Sequence, residues 1–388
     1  MPNESFNDLS KGRGTMEIYY WSKLVPVEKL AGGDVRARYV IPEMMKLSNQ
    51  EKHLILPEAI LNKKMLESHQ SLCKLLLSVL VPLKVAKFVH KSKKSIKFVY
   101  CSTCYPWDTL PAIIIKSIFH TNIICISHDT PKQLSGYSFY RNSECFSIVR
   151  SFLFTIIGKF QTFLLRYIDI PVAQSKFEMN FFRDSKVRNR AILSGSPIAY
   201  VLHEPDGNSR NYDIVLLGRI IPRKNVNKII KALKNKQYSR KIELLVITNS
   251  PKYAVENEII RDLDENLLNF TVKYGASEEE KFELLKMSKI YVSLSRDETF
   301  SLATMEAASM GVALILSDYD VFRELYGTAA IFVNEDDSTG VWNQIAHLLY
   351  NPEILNEYSK KSVEIASKYL VKNVATDEYN SIQNKIGG

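Results

Sequence analysis

Two stretches of this chain carry residue types that can grip a phosphate and a polyhydroxylated ligand. The first is Ser295-Arg296-Asp297-Glu298-Thr299-Phe300-Ser301-Leu302-Ala303-Thr304-Met305-Glu306-Ala307-Ala308-Ser309-Met310-Gly311. An apolar run ends, a short loop follows, and a helix is expected to begin near Ser301. The free backbone N–H groups of such a start, with the positive end of its dipole, favour a phosphate. Glu298 falls in the loop and Glu306 about one and a half turns into the helix. Both can face one cleft while each accepts hydrogen bonds from a different hydroxyl. The second stretch is Leu216-Leu217-Gly218-Arg219-Ile220-Ile221-Pro222-Arg223-Lys224-Asn225. A strand runs into Gly218, which permits close backbone approach, and Arg219 and Lys224 sit at the cleft mouth. Two fixed cations there can neutralise the charge growing on a diphosphate leaving group without a metal ion. Arg223 is expected to be an exposed residue at the helix start.

The elements that position these residues alternate short β-branched or aromatic runs with longer helical patterns, as parallel α/β sheets do. Strands are expected at 16–21, 96–101, 122–127 and 170–173 in the first half. In the second half they fall at 213–217, 242–248, 270–274, 289–294, 312–316 and 330–333. Helices are expected at 34–48, 58–67, 72–92, 107–119, 146–166 and 176–184, then at 225–235, 254–265, 277–286, 301–310, 320–325 and 338–349. Final helices around 353–368 and 372–385 close the chain. Residues 1–15 lack periodicity and read as a loose extension. The turn-rich stretch 198–212 reads as a linker. The fold class is α/β, with two doubly wound, Rossmann-like domains facing across a cleft. An N-terminal domain covers 16–197 and a C-terminal one 198–369. Ligands in such sheets bind beyond the carboxyl ends of the strands.

The 388 residues are 46 % apolar and 24 % charged, ordinary for a globular protein of two domains. The net charge of +9 is unevenly spread: residues 1–200 hold 28 Lys and Arg against 15 Asp and Glu, and the remainder 23 against 27. The first half is therefore expected to face something anionic. The apolar stretches 72–89 and 147–170 are broken by Lys74, Pro82, Lys84 and Lys87, and by Arg150, Lys159 and Arg166. A spanning helix needs ~20 mostly uncharged residues, so both read instead as basic amphipathic helices, the composition of membrane-surface segments. Peripheral contact with an anionic membrane surface is the expectation, on the cytoplasmic face. The polar first residues do not read as a signal peptide. Five irregularly spaced cysteines (Cys73, Cys101, Cys104, Cys125, Cys145) fit a reducing compartment, with Cys101 and Cys104 as strand-end residues rather than zinc ligands. No G-x-G-x-x-G follows a strand, which excludes a dinucleotide-dependent dehydrogenase. No module with interleaved aromatics supports a nucleic-acid partner. Asp262-Leu263-Asp264 and Asp318-Tyr319-Asp320 resemble metal-binding D-x-D motifs only formally, and no metal or other cofactor is expected.

Together the two stretches resemble the retaining GT-B glycosyltransferases, most closely the large group called family four. Gly218, Arg219, Lys224 and Asn225 match that family's G-R-x(3–4)-K-N segment. Glu298 and Glu306 match its E-x7-E element, with Ala307 and Gly311 continuing it. Phe322-Arg323-Glu324-Leu325-Tyr326-Gly327 is a further echo, and Tyr274-Gly275-Ala276 stands where the family usually reads the base. In the first half, Gly32-Gly33 matches the glycine pair facing the donor phosphates and Ser127-His128-Asp129 the His-Asp pair near the transferred sugar. Ser175-Lys176 and Gly195 match positions at the end of the first domain. The resemblance implies a nucleotide-sugar donor, UDP- or GDP-linked, and a saccharide or lipid-linked acceptor. Arg219 and Lys224 would bind the diphosphate and Glu306 the ribose. Glu298 and the backbone of Phe300, Ser301 and Leu302 would hold the sugar and distal phosphate, and His128 would hydrogen-bond the sugar or help position the acceptor. It further implies a front-face reaction with retention and no protein nucleophile, and a final helix, about 370–388, crossing back to the first domain. The sequence departs from the family at Ser301, where glycine is common, and at Asp318-Tyr319-Asp320, which replaces a glycine pair. A sugar-nucleotide epimerase and a catalytically degenerate GT-B scaffold are the alternatives.

Overall fold

The computed structural model describes residues 14–22, 32–61, 66, 70–128, 146–182, 184–200, 210–234, 240–262 and 268–387. Two parallel six-stranded sheets organise the chain. The first holds β1 (Thr15–Tyr20), β2 (Glu51–Ile55), β3 (Ser95–Cys101), β4 (Asn122–Ile126), β5 (Ile170–Ala173) and β6 (Ile192–Leu193), in the order β2-β1-β3-β4-β5-β6. The second holds β7 (Tyr212–Leu217), β8 (Ile242–Thr248), β9 (Leu268–Tyr274), β10 (Ser288–Ser293), β11 (Ala313–Ser317) and β12 (Ala330–Val333), in the order β12-β11-β10-β7-β8-β9. In each, the chain builds outward from its first strand, then returns to that strand's other side. The reversal leaves a crevice between β1 and β3 and another between β7 and β10, beyond their carboxyl ends, where doubly wound sheets take ligands. This is the expected fold: two Rossmann-like domains of a GT-B molecule.

The helices of the first domain are α1 (Gly32–Leu47), α2 (Gln70–Ser92), α3 (Pro106–Phe119), α4 (Phe146–Leu164), α5 (Lys176–Met179) and α6 (Ser185–Arg190). Those of the second are α7 (Val226–Lys234), α8 (Lys252–Glu258), α9 (Glu278–Lys286), α10 (Leu302–Ser309), α11 (Asp320–Tyr326), α12 (Ser338–Tyr350) and α13 (Pro352–Ser367). The central strands are buried on both faces, so Ile214, Val215 and Leu216 pack alternately into the two cores flanking the second sheet. α7 shows how a helix here is specified: Ile229, Ile230 and Leu233 fall on one stripe and are buried, each stabilising by roughly 1.5–3 kcal/mol. α9 begins at an N-cap, Ser277, whose hydroxyl accepts from the Glu280 N–H, with Glu278, Glu279 and Glu280 filling the positive first turn.

The last helix, α14 (Val371–Gly387), packs on α1 in the first domain. Its Glu378 is fully buried against Arg36. The chain's two passages between the domains run side by side: Ile198 bridges to Leu370, and its N–H donates to the Tyr369 carbonyl over 2.7 Å.

Several elements depart from expectation. The sequence offered no strand at 51–55, because Glu51-Lys52-His53 is polar; β2 is an edge strand whose outward residues remain in water. The two-residue β6 is too short to leave a pattern. A helix at 58–67 is replaced by a 3-10 turn over Pro57–Ala59, with most of the remainder outside the described residues. The helix expected over 176–184 breaks into α5 and α6, since Asp184 caps a new start by accepting from the Lys186 N–H. The one expected over 254–265 ends at Glu258 and passes into a 3-10 turn, Ile260–Asp262. The expected extension 1–15 falls almost wholly outside the described residues, as do 201–209 of the linker, Asp129, Cys145 and Asp264.

Candidate active site

The site forms where the loops after β7 and β10 meet. Gly218 ends β7 at φ +121°, a conformation that only glycine adopts without strain, and its N–H donates to the Ile247 carbonyl over 3.0 Å. Arg219 then turns outward. Ile220 anchors the loop, buried, with its N–H on Ser250 Oγ at 2.7 Å. A 3-10 turn over Pro222–Lys224 closes on Asn225, which is left-handed at φ +51°. Asparagine tolerates that backbone, and its Nδ2 donates to the Leu294 carbonyl at the end of β10 over 2.8 Å. The Asn of the motif is thus a stitch between the two loops. It delivers Lys224 onto Glu298, and the two pair directly.

Glu298 Oε1 also accepts from Ser295 Oγ at 2.8 Å. Burial pushes the Glu298 carboxyl pKa up, but Lys224 and then Arg223 outweigh it, so the group lies below the usual carboxylate range and is ionised. Arg223 is not the exposed residue expected of it. Its guanidinium donates to the Asp297 carbonyl over 3.3 Å, and its side chain is 12 % exposed. The cause is the adjacency of β7 and β10, which folds its loop against that of Asp297. A small cavity of about 20 Å³ lies beside Gly218, Arg219 and Lys224, and the rest of its lining is mostly apolar, including Leu216, Ile229 and Val246.

Phe300 is buried, and Ser301 caps α10 at φ +64°. A left-handed conformation costs a non-glycine residue roughly 1–2 kcal/mol. Here it is held by a 2.7 Å bond between Ser301 Oγ and Thr304 Oγ1, and by the Ser301 carbonyl, which accepts from Thr304 and Met305. The positive φ gives a physical reason for glycine being common at this position. The N–H groups of Leu302 and Ala303 precede the first intrahelical bond and are available to an anion. Glu306, in the middle of α10, has its Oε1 2.6 Å from Lys281 Nζ on α9. Burial raises its pKa, with Lys281 opposing and Glu278 adding to the rise. Tyr274 ends β9 with Gly275 and Ala276 just beyond it, and the Gly275 N–H is tied to the Thr248 carbonyl at the end of β8.

The first domain meets this loop closely. Thr299 Oγ1 donates to the His128 carbonyl over 3.2 Å, and the Thr299 carbonyl accepts from Ser175 Oγ at 2.7 Å. Glu324 of α11 accepts from the N–H groups of Lys176 and Phe177 at 2.6 and 2.8 Å, capping α5 from the other domain. Ser175-Lys176 and Phe322–Gly327, two echoes with no chemistry of their own in the sequence, are therefore interdomain contacts. The His128 ring has both nitrogens engaged: Nε2 donates to the Ser102 carbonyl (3.1 Å) and Nδ1 accepts from Gln174 Nε2 (2.8 Å). Burial, then Arg36, lowers its pKa to about 4, so the ring is neutral. In this conformation neither nitrogen is open to a sugar hydroxyl. Gly32 and Gly33 open α1, and Tyr39 further along α1 reaches across to Glu278. Asp318 is paired with Arg323.

The structure thus gathers Gly218, Arg219, Lys224, Glu298, Phe300, Ser301 and Leu302 around two adjacent strand ends, with Glu306 further along α10 against Lys281 of α9. Sequence reasoning missed Arg223, Ser295, Thr299, Gln174 and Lys281. Lys281 lies within Glu278-Glu279-Glu280-Lys281, where only a folded neighbour distinguishes one charge from the next.

Residues 204–364 match the sequence family described as "Glycosyl transferases group 1". Over that stretch, which makes up most of the second domain, the chain is similar to the glycosyl transferase group 1 family. It is 27 % identical over 154 residues to the O-antigen chain mannosyltransferase RfbU of Salmonella typhimurium, covering 38 % of this chain and 41 % of that protein. It is 24 % identical over 172 residues to the N-acetyl-alpha-D-glucosaminyl L-malate synthase of Bacillus anthracis, covering 42 % and 44 %. The matches thus span less than half the length of these curated relatives. The fold is similar to that of Anabaena Alr3699/HepE in complex with UDP, with a TM-score of 0.63 at 12 % identity over 95 % of this chain and 100 % of that one.

Proposed function

We propose that this protein is a group 1 glycosyl transferase that moves a hexose from a UDP- or GDP-linked donor to a saccharide or glycolipid acceptor, with retention of anomeric configuration and without a metal. One observation carries the proposal: Lys224, Glu298 and the start of α10 converge at the β7/β10 crevice, with Arg219 at its mouth. The diphosphate would lie against Arg219, Lys224 and the α10 N–H groups, and Glu306 would accept from the ribose hydroxyls. Glu298 would hold the sugar, and Tyr274-Gly275-Ala276 would border the base. As the bond between the anomeric carbon and the phosphate oxygen breaks, its electron pair leaves on the diphosphate. Two cations fixed in advance stabilise that charge without reorganising. The departing phosphate oxygen takes the acceptor's hydroxyl proton, and the acceptor oxygen bonds to the same face of the sugar. His128, neutral and doubly bonded, would position the acceptor side through its backbone contact with Thr299. The names of the relatives, a mannosyltransferase and a glucosaminyl malate synthase, support sugar transfer and differ in the sugar, which leaves the donor sugar open.

The acceptor is proposed to be lipid-linked, with the protein peripheral at the cytoplasmic membrane face. Helices α2, α3 and α4 pack side by side, and Val79, Leu83, Ile114, Ile118, Phe160 and Phe163 project outward from them. Lys87, Lys91 and Lys159 are exposed on the same helices. Each lysine near an anionic surface adds about 1 kcal/mol. No helix among the described residues is long and apolar enough to cross a membrane.

The test is proton NMR of the products formed with each UDP- and GDP-hexose, in the presence of EDTA and anionic liposomes carrying a glycolipid. Retention by the chelated enzyme supports the proposal. An inverted product, a demand for metal, or donor epimerised without transfer rejects it. Nucleotide binding without turnover of any donor would favour the degenerate scaffold.

A further inference from the structure

The cation beside the proposed ribose carboxylate has no part in the scheme above. Lys281 sits in the first turn of α9, which Ser277 caps, so its backbone is fixed before its side chain reaches α10. Its Nζ lies 2.6 Å from Glu306 Oε1 and 4.0 Å from Glu278 Oε1, and 4.8 Å from the centroid of the Phe282 ring. Glu278 is in turn held by the first domain: Tyr39 OH donates to its Oε2 over 2.6 Å, and Arg38 lies 3.5 Å from the same oxygen. The Lys281 and Glu306 side chains are 16 % and 10 % exposed, so the pair is largely shielded from water.

We propose that Lys281 is a positioning residue for the donor: it holds Glu306 by one carboxylate oxygen, as an anion, so that the carboxylate accepts from the ribose hydroxyls. The inference rests on the donor-site reading above. A shielded carboxyl beside a second carboxylate, Glu278, keeps its charge only with a partner close by. Burial works against the ionised form of Glu306, and Lys281 is the first group to oppose it. Without Lys281, the burial that already raises the Glu306 pKa goes unopposed, so the carboxyl is more readily protonated and exchanges an acceptor oxygen for a hydroxyl. It also loses the contact that fixes its rotamer. The ribose then meets a group of the wrong polarity in a loosened position.

The experiment measures binding of UDP or GDP, whichever the wild type prefers, and of its 2′,3′-dideoxy analogue, by calorimetry from pH 6 to pH 9. Wild type is expected to discriminate against the dideoxy compound by about tenfold or more, the scale of hydrogen bonds to a charged group. Lys281→Met should discriminate less than wild type and gain discrimination as the pH rises, as Glu306 ionises. Lys281→Arg should retain discrimination throughout, which separates loss of the cation from general damage to α9. A Lys281→Met protein that discriminates at pH 7 as wild type does overturns the inference and leaves the donor site standing. Wild type that binds neither nucleotide overturns both. Loss of discrimination in Lys281→Arg equal to that in Lys281→Met also overturns it, because a merely structural role predicts that pattern.

Discussion

Replacing Glu378 with glutamine separates the account of the fold from that of the site. Glu378 lies on α14, which carries the end of the chain back to the first domain, and its carboxylate is fully buried. Three donors converge on it. Arg36 pairs with Oε2, Ser194 Oγ donates to the same oxygen at 2.5 Å, and Tyr100 OH donates to Oε1 at 2.6 Å. Arg36 also reaches the Tyr100 hydroxyl, Ser194 Oγ and the Gly195 carbonyl, at 3.2, 2.9 and 3.3 Å. Burial alone would lower the Arg36 pKa; Glu378 and Tyr100 reverse that and hold it above the ordinary value. Glu378→Gln leaves a guanidinium in a dry interior facing an amide, and one amide N–H₂ among donors. Losing one partner of a buried ion pair costs roughly 3–5 kcal/mol. For a domain of this size each kcal/mol shifts Tm by about 2–4 °C, so the first domain should melt about 6–20 °C lower. The assay is scanning calorimetry with the two domain transitions resolved, the first followed by Trp21 and Trp107 fluorescence. Arg36→Met with Glu378→Leu, which removes both charges, should recover much of the loss. A Glu378→Gln shift corresponding to under about 1 kcal/mol would refute the reasoning, as would a double variant less stable than the single one.

Two other outcomes follow from buried positions near the cleft. Asp108, fully buried, has its pKa pushed up to about 7 by burial, against hydrogen bonds from Ser22, Thr103 and Ser102. A raised folded pKa contributes stability that is fully present below the unfolded value near 4 and is lost as pH rises through 7; at 1.36 kcal/mol per unit the loss is up to ~4 kcal/mol. Urea titrations of Asp108→Asn should therefore gain on wild type steadily between pH 4 and pH 7, and parallel curves would contradict the assignment. A Cβ at Gly195 would stand 2.6 Å from both the Phe300 and Tyr369 rings. Gly195→Ala should cost about 1–3 kcal/mol by overpacking and lower kcat/KM by displacing Phe300 beside the α10 start; an unchanged Tm with full activity would show that the rings yield freely.

The second domain was the more legible one. Its strands are apolar runs buried on both faces, and its candidate site residues lie mainly in two local segments where a strand end, a turn residue and a helix start are consecutive in the chain. Spacing therefore carried Gly218, Lys224, Glu298 and Glu306 to their places. What escaped depends on distant neighbours. Arg223 could be expected on the surface until β10 was known to lie beside β7, which brings Asp297 within its reach. His128 could be expected to face a sugar until Gln174, from the next strand, took its Nδ1. β2 is polar because an edge strand meets water, and polar alternation in Glu51-Lys52-His53 gives no core signal. Lys281 is one charge among four until α9 packs on α10.

The most direct measurement is calorimetric titration of wild type and Glu306→Ala with UDP and with GDP. The account predicts that wild type binds one of them and that Glu306→Ala binds it about ten- to a hundredfold more weakly, as losing hydrogen bonds to a charged group requires. Folded wild type that binds neither nucleotide, or Glu306→Ala that binds as tightly as wild type, would contradict it.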